Sequence, residues 1–210
     1  MIPDPVGAAV RWLATGGLVG YPTETVWGLA ALAESAPAME RLRAWKGRDA
    51  DAPVAILVED LADAEARGCE IGAAARRLAA AHWPGPLTLV VPCRRAFAPG
   101  VARADGAVGL RCSSHPLAAA LARRAAREGL GALTATSLNR HGEAPARTRA
   151  EAALLCEGSD ALRLLEIDGA EAGGDAASTV VDLTGASPEV LRWGAIPRDE
   201  VLPMLQGLRA

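Results

Sequence analysis

The chain carries 22 basic residues, of which only Lys46 is a lysine and the rest are arginines. A lysine offers what arginine cannot, a compact ammonium with three rotatable donors. A lone lysine is also what drift towards arginine would leave by chance, so Lys46 takes its meaning from its surroundings. It stands two residues before Arg48, and polar side chains recur wherever an apolar run stops: Thr23 and Thr25, Arg111, Ser137 and Asn139, Ser178 and Thr179, and Arg192. Each alone reads as a turn former or a surface charge. Gathered on one concave face, four cations and several hydroxyls would hold a triphosphate, or a phosphate together with a carboxylate. The chemistry implied is binding of an anionic nucleotide substrate.

Other chemistries lack their residues. There is no G-x-x-x-x-G-K-[ST] and no G-x-G-x-x-G after a strand, which argues against a P-loop ATPase and a dinucleotide-binding dehydrogenase. There is no G-x-S-x-G nucleophile elbow. His82, His115 and His141 sit beside Trp83, Pro116 and Gly142, the first two reading as turn or helix-cap residues. Cys69, Cys93, Cys112 and Cys156 are dispersed without C-x-x-C pairs or histidines at zinc-ligand spacing, so they read as buried free thiols in a reducing compartment.

The elements needed to position these residues are legible in outline. Asp4 and Pro5 open a helix running to Leu13 that Gly16 and Gly17 stop. Leu18–Tyr21 reads as a buried strand, with Thr23, Glu24 and Thr25 turning at its carboxyl end, where open α/β sheets place ligands. Ser35 and Pro37 start a helix with Met39, Leu42 and Trp45 on one face, which delivers Lys46, Gly47 and Arg48 at its end. Val54–Val58 and Leu87–Val91 are continuous apolar runs of the kind buried on both faces, separated by a helix over Ile71–His82 and the break Trp83-Pro84-Gly85-Pro86. Strand signals follow at Ala107–Leu110, Ala132–Thr136, Ser178–Leu183 and Val190–Arg192. Helices are expected from Pro116 to about Glu128, after the capping box Thr148/Glu151, and near Asp199–Leu208. The acidic, glycine-rich stretch Glu166–Ala177 reads as a mobile surface loop. These signals predict an α/β fold over residues 1–210 as a single domain, with a twisted mixed parallel and antiparallel sheet and helices packed on it.

Half of the 210 residues are apolar, enough for a sizeable core. Aromatics are limited to five tryptophans, one tyrosine and one phenylalanine, too few for a base-stacking platform. A formal charge of −3 means that any phosphate site must be a local cluster of cations. The start of the chain lacks a signal-peptide pattern and no apolar run reaches membrane-spanning length, so a cytoplasmic protein without a membrane partner is expected.

Seven segments in order also resemble one family: Tyr21-Pro22-Thr23-Glu24-Thr25-Val26-Trp27-Gly28; Lys46-Gly47-Arg48; Trp83-Pro84-Gly85-Pro86-Leu87-Thr88; Arg111 with His115-Pro116; Ser137-Leu138-Asn139; Ser178-Thr179-Val180-Val181-Asp182; and Leu191-Arg192-Trp193-Gly194. They are similar to the successive motifs of the YrdC/TsaC family of threonylcarbamoyl-AMP synthases, in its short single-domain branch, over about Gly16 to Ile196. The resemblance implies a YrdC-like fold, related to that of DHBP synthase. It implies conversion of ATP, L-threonine and bicarbonate to L-threonylcarbamoyladenylate and pyrophosphate, for N6-threonylcarbamoyladenosine (t6A) in tRNA. It assigns Lys46 and Arg48 to catalysis by phosphate neutralisation, Arg48, Ser137, Asn139 and Arg192 to ATP, and Thr25, Arg111 and Ser178 to threonine. Mg²⁺ would arrive bound to ATP, with no protein metal cage. Downstream threonylcarbamoyl transferase proteins would take the product, and tRNA or double-stranded RNA could meet the basic concave face. Two alternatives stand beside this reading: a paralogue that acts on another carbamoyl-type adenylate or is inactive, and a non-catalytic RNA-binding module.

The chain departs from the family pattern at Asp49, where a proline commonly stands, with Asp51 nearby. It departs again in Ser137-Leu138-Asn139-Arg140-His141-Gly142, which replaces the usual S-A-N-L-S-G. Bulk at Leu138 and His141 is expected to reshape the adenosine end.

Overall fold

The computed structural model describes residues 4–48, 52–165, 167 and 169–206. Asp49 and Asp51, and the end of the C-terminal helix expected to reach Leu208, lie outside them.

The expected elements form, with three additions. In chain order they are α1 (Pro5–Ala14), β1 (Leu18–Tyr21), β2 (Gly28–Ala30), α2 (Ala36–Lys46), β3 (Ala55–Leu57), α3 (Leu61–Ala66), α4 (Ala73–His82), β4 (Leu87–Pro92), β5 (Ala107–Arg111), α5 (Pro116–Arg127), β6 (Thr134–Ser137), α6 (Arg149–Cys156), β7 (Leu162–Leu164), β8 (Thr179–Asp182), β9 (Glu189–Arg192) and α7 (Arg198–Leu205). The additions are β2, α3 and β7. Gly-Leu-Ala has weak strand propensity and Leu-Arg-Leu is only three residues long, so neighbours make these strands, not local preference. The six-residue α3 is started by Asp60, whose side chain accepts from the Asp63 amide.

Caps read from the sequence act as caps. The Asp4 and Ser35 side chains accept from Gly7 and Ala38 amides. Thr148 and Glu151 close a full capping box, and His115 Nδ1 accepts from the Leu117 amide. Gly47 ends α2 in the left-handed region at φ 64°, and the Arg48 amide reaches back to the Arg43 carbonyl, as in a Schellman ending.

The nine strands order as β7-β1-β2-β6-β3-β5-β4-β8-β9. β1/β7, β3/β5 and β4/β8 are parallel and the remaining pairs antiparallel, which is the mixed sheet expected. Alternation along each strand sorts side chains between two faces. Leu18, Leu29, Ile56, Leu87, Leu89, Val91 and Leu110 pack with Met39, Leu42 and Trp45 of α2 and Leu78 of α4 in the larger core. Val19, Tyr21, Ala30 and Leu57 point the other way, against Val10 and Leu13 of α1 and Leu121 and Ala125 of α5. The second cluster takes its strand residues from the β1-to-β3 half of the sheet. No helix among the described residues is long and apolar enough to cross a membrane.

Candidate active site

Beyond the reach of α1 and α5, the second face of the sheet is open, and a cavity of about 280 Å³ lies on it. Its floor is set by period-two alternation: Ala55 and Leu57, Thr88 and Val90, Ala107, Gly109 and Arg111, and Ala135 and Ser137 all face it, while Ile56, Leu89, Val108 and Leu110 between them belong to the larger core. Small floor residues keep it deep. A side chain at Gly109 would meet Ala55 Cβ at 3.0 Å, and one at Gly28 would strike the Tyr21 ring at 2.6 Å. The site therefore lies along strand faces as well as at strand ends, where the sequence suggested it. The visible signal was the small residue on every second position of Ala107-Val108-Gly109-Leu110-Arg111.

Of the eight residues given roles by the family resemblance, Thr25, Arg48, Arg111, Ser137, Ser178 and Arg192 line this cavity. Lys46 and Asn139 do not; they stand behind its wall.

Arg48 leaves α2 past Gly47 and donates to the Pro53 carbonyl at 3.2 Å. Arg192 comes from β9 and is fixed on Ser178, donating from Nε to its carbonyl and from Nη2 to its hydroxyl, both at 3.0 Å. Neither guanidinium has a carboxylate partner among the described residues. Burial holds the pKa of each below its ordinary value, and for Arg192 the Arg48 charge adds to the effect. Two cations facing each other unneutralised form a site that gains by taking an anion. The Ser178 hydroxyl also meets Thr88 Oγ1 at 2.8 Å, so Arg192, Ser178 and Thr88 form one network.

The other cations of the cavity are neutralised. Arg111 is buried and pairs with Glu24, whose second carboxylate oxygen accepts from Ser113. Arg111 also donates to the carbonyls of Gly85 and Leu87. Three of its five donors are thus used, leaving two for a ligand. Arg103 is held by Asp105 and by Asp182, the latter at 2.5 Å. Thr25 Oγ1 lies 2.8 Å from Thr23 Oγ1, which donates to the Val26 carbonyl at 2.7 Å, so the turn after β1 is internally bonded. The sequence reading missed Thr88, Arg103 and the counter-ion role of Glu24, because a pairing across 87 residues leaves no local signal.

Lys46 lies outside the cavity lining. It is only 3 % exposed, and its three donors go to Ser137 O at 2.6 Å, Asn139 O at 3.0 Å and Asn139 Oδ1 at 3.0 Å. Burial, and next the Arg48 charge, push its pKa down to about 8. The ammonium holds the chain after β6 in place and so positions Ser137. The Asn139 amide is likewise bonded within the protein, donating to the carbonyls of Arg140 and Glu143.

The divergent segment after Ser137 does not reach the cavity either. Leu138 is fully buried in the larger core, and the His141 amide donates to Lys46 O at 2.7 Å. Arg140 caps the Trp45 carbonyl and stacks its guanidinium 4.3 Å from the Trp45 ring centre. Leu138 and His141, expected to reshape a ligand end, are turned elsewhere: Leu138 fills the larger core, while Arg140 and His141 brace the α2 terminus. The stretch expected to be a mobile loop is tethered too. Gly173 and Gly174 amides donate to Thr23 and Thr25 carbonyls at 2.8 and 3.0 Å, so close that a side chain at Gly174 would meet the Glu24 carbonyl at 2.9 Å. Glu171 adds bonds to His115 and to the Arg149 amide.

Comparison with known proteins agrees with this architecture. Residues 11–194 match the Sua5/YciO/YrdC family model, described as "Telomere recombination". The threonylcarbamoyl-AMP synthase of Chromohalobacter salexigens is 34 % identical over 189 residues, covering 90 % of this chain and 97 % of that protein. The threonylcarbamoyl-AMP synthase of Bacillus subtilis is 33 % identical over 200 residues, covering 94 % of this chain but 56 % of that one. The crystal structure of Pyrococcus abyssi Sua5 complexed with L-threonine superposes with a TM-score of 0.87 at 30 % identity, over 100 % of this chain and 60 % of that one. The chain thus spans nearly the full length of one relative and a little over half of the other two. The ordered motifs, the mixed nine-stranded sheet and these similarities place it in the Sua5/YciO/YrdC family.

Proposed function

We propose that this protein makes L-threonylcarbamoyladenylate from ATP, L-threonine and bicarbonate, releasing pyrophosphate, as a nucleotidyltransferase serving t6A formation in tRNA. The observation that carries this reading is the pair Arg48 and Arg192, without a carboxylate partner among the described residues, in a cavity whose other cations already have counter-ions. A triphosphate is the ligand such a pair suits. The threonine amine captures CO2 derived from bicarbonate as a carbamate and loses a proton. A carbamate oxygen then attacks the α-phosphorus, and pyrophosphate leaves. Two anions meet in this step, and fixed guanidiniums offset their repulsion without reorganising. Arg48 and Arg192 hold the phosphates, with Ser137 alongside.

Threonine belongs beside Thr25, Arg111 and Ser178, where the two free Arg111 donors take the carboxylate. Lys46 acts through Ser137, and Asn139 through the same loop. The described cavity walls offer hydroxyls and guanidiniums but no carboxylate. Mg²⁺ therefore enters as part of the MgATP substrate, held by phosphate oxygens and water. The product passes to a threonylcarbamoyl transferase in the cytoplasm, and RNA contact on the concave rim is secondary to this role. Pyrophosphate release measured while threonine, bicarbonate and ATP are omitted in turn tests the proposal. Joint dependence on all three is expected; release that ignores threonine would overturn it.

A further inference from the structure

Away from the cavity two thiols meet. Cys69 follows α3 and Cys93 follows β4, and the two are partners in a short antiparallel bridge. The Glu70 amide donates to Pro92 O at 2.8 Å and the Arg94 amide to Gly68 O at 3.0 Å. The flanking residues therefore carry the ladder bonds, and Cys69 opposite Cys93 is a non-hydrogen-bonded pair. Such pairs bring Cα atoms to about 4.5 Å and side chains closest together, within the roughly 4.4–6.8 Å that a disulfide spans. The side chains agree with the register: the sulfurs lie 2.8 Å apart. Cys69 is buried, whereas Cys93 is partly exposed and open to a small oxidant.

We propose that Cys69 and Cys93 are an oxidisable dithiol that peroxide converts to an intramolecular disulfide. The Cys93 thiolate attacks one peroxide oxygen, breaking the O–O bond and leaving a sulfenic acid and one water. The Cys69 sulfur then displaces the sulfenic oxygen as a second water, with its own proton transferred. Two thiols and one peroxide thus give one disulfide and two waters. Burial pushes the Cys69 thiol well above its ordinary pKa, which leaves the more exposed Cys93 to react first. The closed loop would enclose α4 and the turn whose Gly85 carbonyl holds Arg111.

The test treats the whole protein with stoichiometric hydrogen peroxide, blocks remaining thiols by alkylation, and reads intact mass, peptide linkage and Tm. The expected result is a loss of about 2 Da, a crosslinked Cys69/Cys93 peptide and two alkylatable thiols. A Tm rise of about 5–10 °C, reversed by dithiothreitol, should accompany it. Cys93→Ser should show neither the crosslink nor the rise. Oxygen addition at Cys93 without crosslinking, covalent dimers as the only linked species, or an equal Tm rise in Cys93→Ser would each overturn the proposal. The crosslink is read on the unmutated chain, so it holds as a test even if the variant folds poorly.

Discussion

Within one cavity, positive charge is treated in two opposite ways. Arg48 and Arg192 are partly buried guanidiniums that no described carboxylate answers. Arg111, by contrast, is answered by Glu24, and Arg103 by Asp105 and Asp182. A cation already paired is part of the scaffold, and removing its partner costs folding free energy. A cation left unpaired beside another raises the energy of the empty protein, and only an anionic ligand recovers that energy. Burial and pairing thus divide one set of arginines into binding groups and structural groups.

The largest effect expected from this division is on turnover. Arg48→Ala or Arg192→Ala should lower pyrophosphate release by about 10²–10³-fold. Tm should be unchanged or raised, because one of two like charges is gone. A large fall in Tm would show that these arginines are structural after all. Among the paired arginines, Glu24→Ala strands a buried guanidinium and should cost about 3–5 kcal/mol in denaturant unfolding. Asp105→Ala, at the exposed edge, should cost a small fraction of that. Equal losses for the two would erase the contrast.

Lys46 lies between these cases. Lys46→Met removes three donors from buried acceptors and should cost about 1–3 kcal/mol. Turnover should fall as well, because Ser137 loses its support. Lys46→Arg should restore neither, since a planar fork does not fit three converging oxygens. Loss of turnover with stability intact would instead mean that Lys46 touches the substrate directly.

The last effect is a pH dependence. Folding lowers the Lys46 pKa from 10.5 to about 8, so the unfolded chain binds that proton more tightly. The resulting penalty is fully present below about pH 8 and is relieved as pH rises towards 10.5. The stability of the unmutated protein relative to Lys46→Met should therefore climb across that window. A flat difference would show that hydrogen bonding to the three oxygens offsets the burial.

Much of the frame was legible because its signals are local. Asp4, Ser35 and Thr148 cap helices within three residues of themselves, and the Leu87–Val91 run marks a buried strand, although its Thr88 and Val90 side chains face the cavity. β2 and β7 were not legible, since Gly28–Ala30 and Leu162–Leu164 become strands only through pairing with β1 and β6 or with β1. The site divides in the same way. Hydroxyls and cations at the ends of apolar runs identified six residues of the cavity wall, whereas the floor needed the register of three adjacent strands to bring Ala55, Gly109 and Ala135 together.

By itself, the sequence determined which side chains were available: a lone lysine two residues before an arginine, a capped helix to deliver them, and an ordered series of motifs shared with one family. Only the tertiary structure decided where each charge points. Lys46 and Arg48 are two residues apart, yet the turn at Gly47 sends one onto backbone oxygens and the other into the cavity. Glu24 finds Arg111 only once β1 and β5 lie in the same sheet. A charge acquires its role from its burial and its partner, and both are set by contacts between residues distant in the chain.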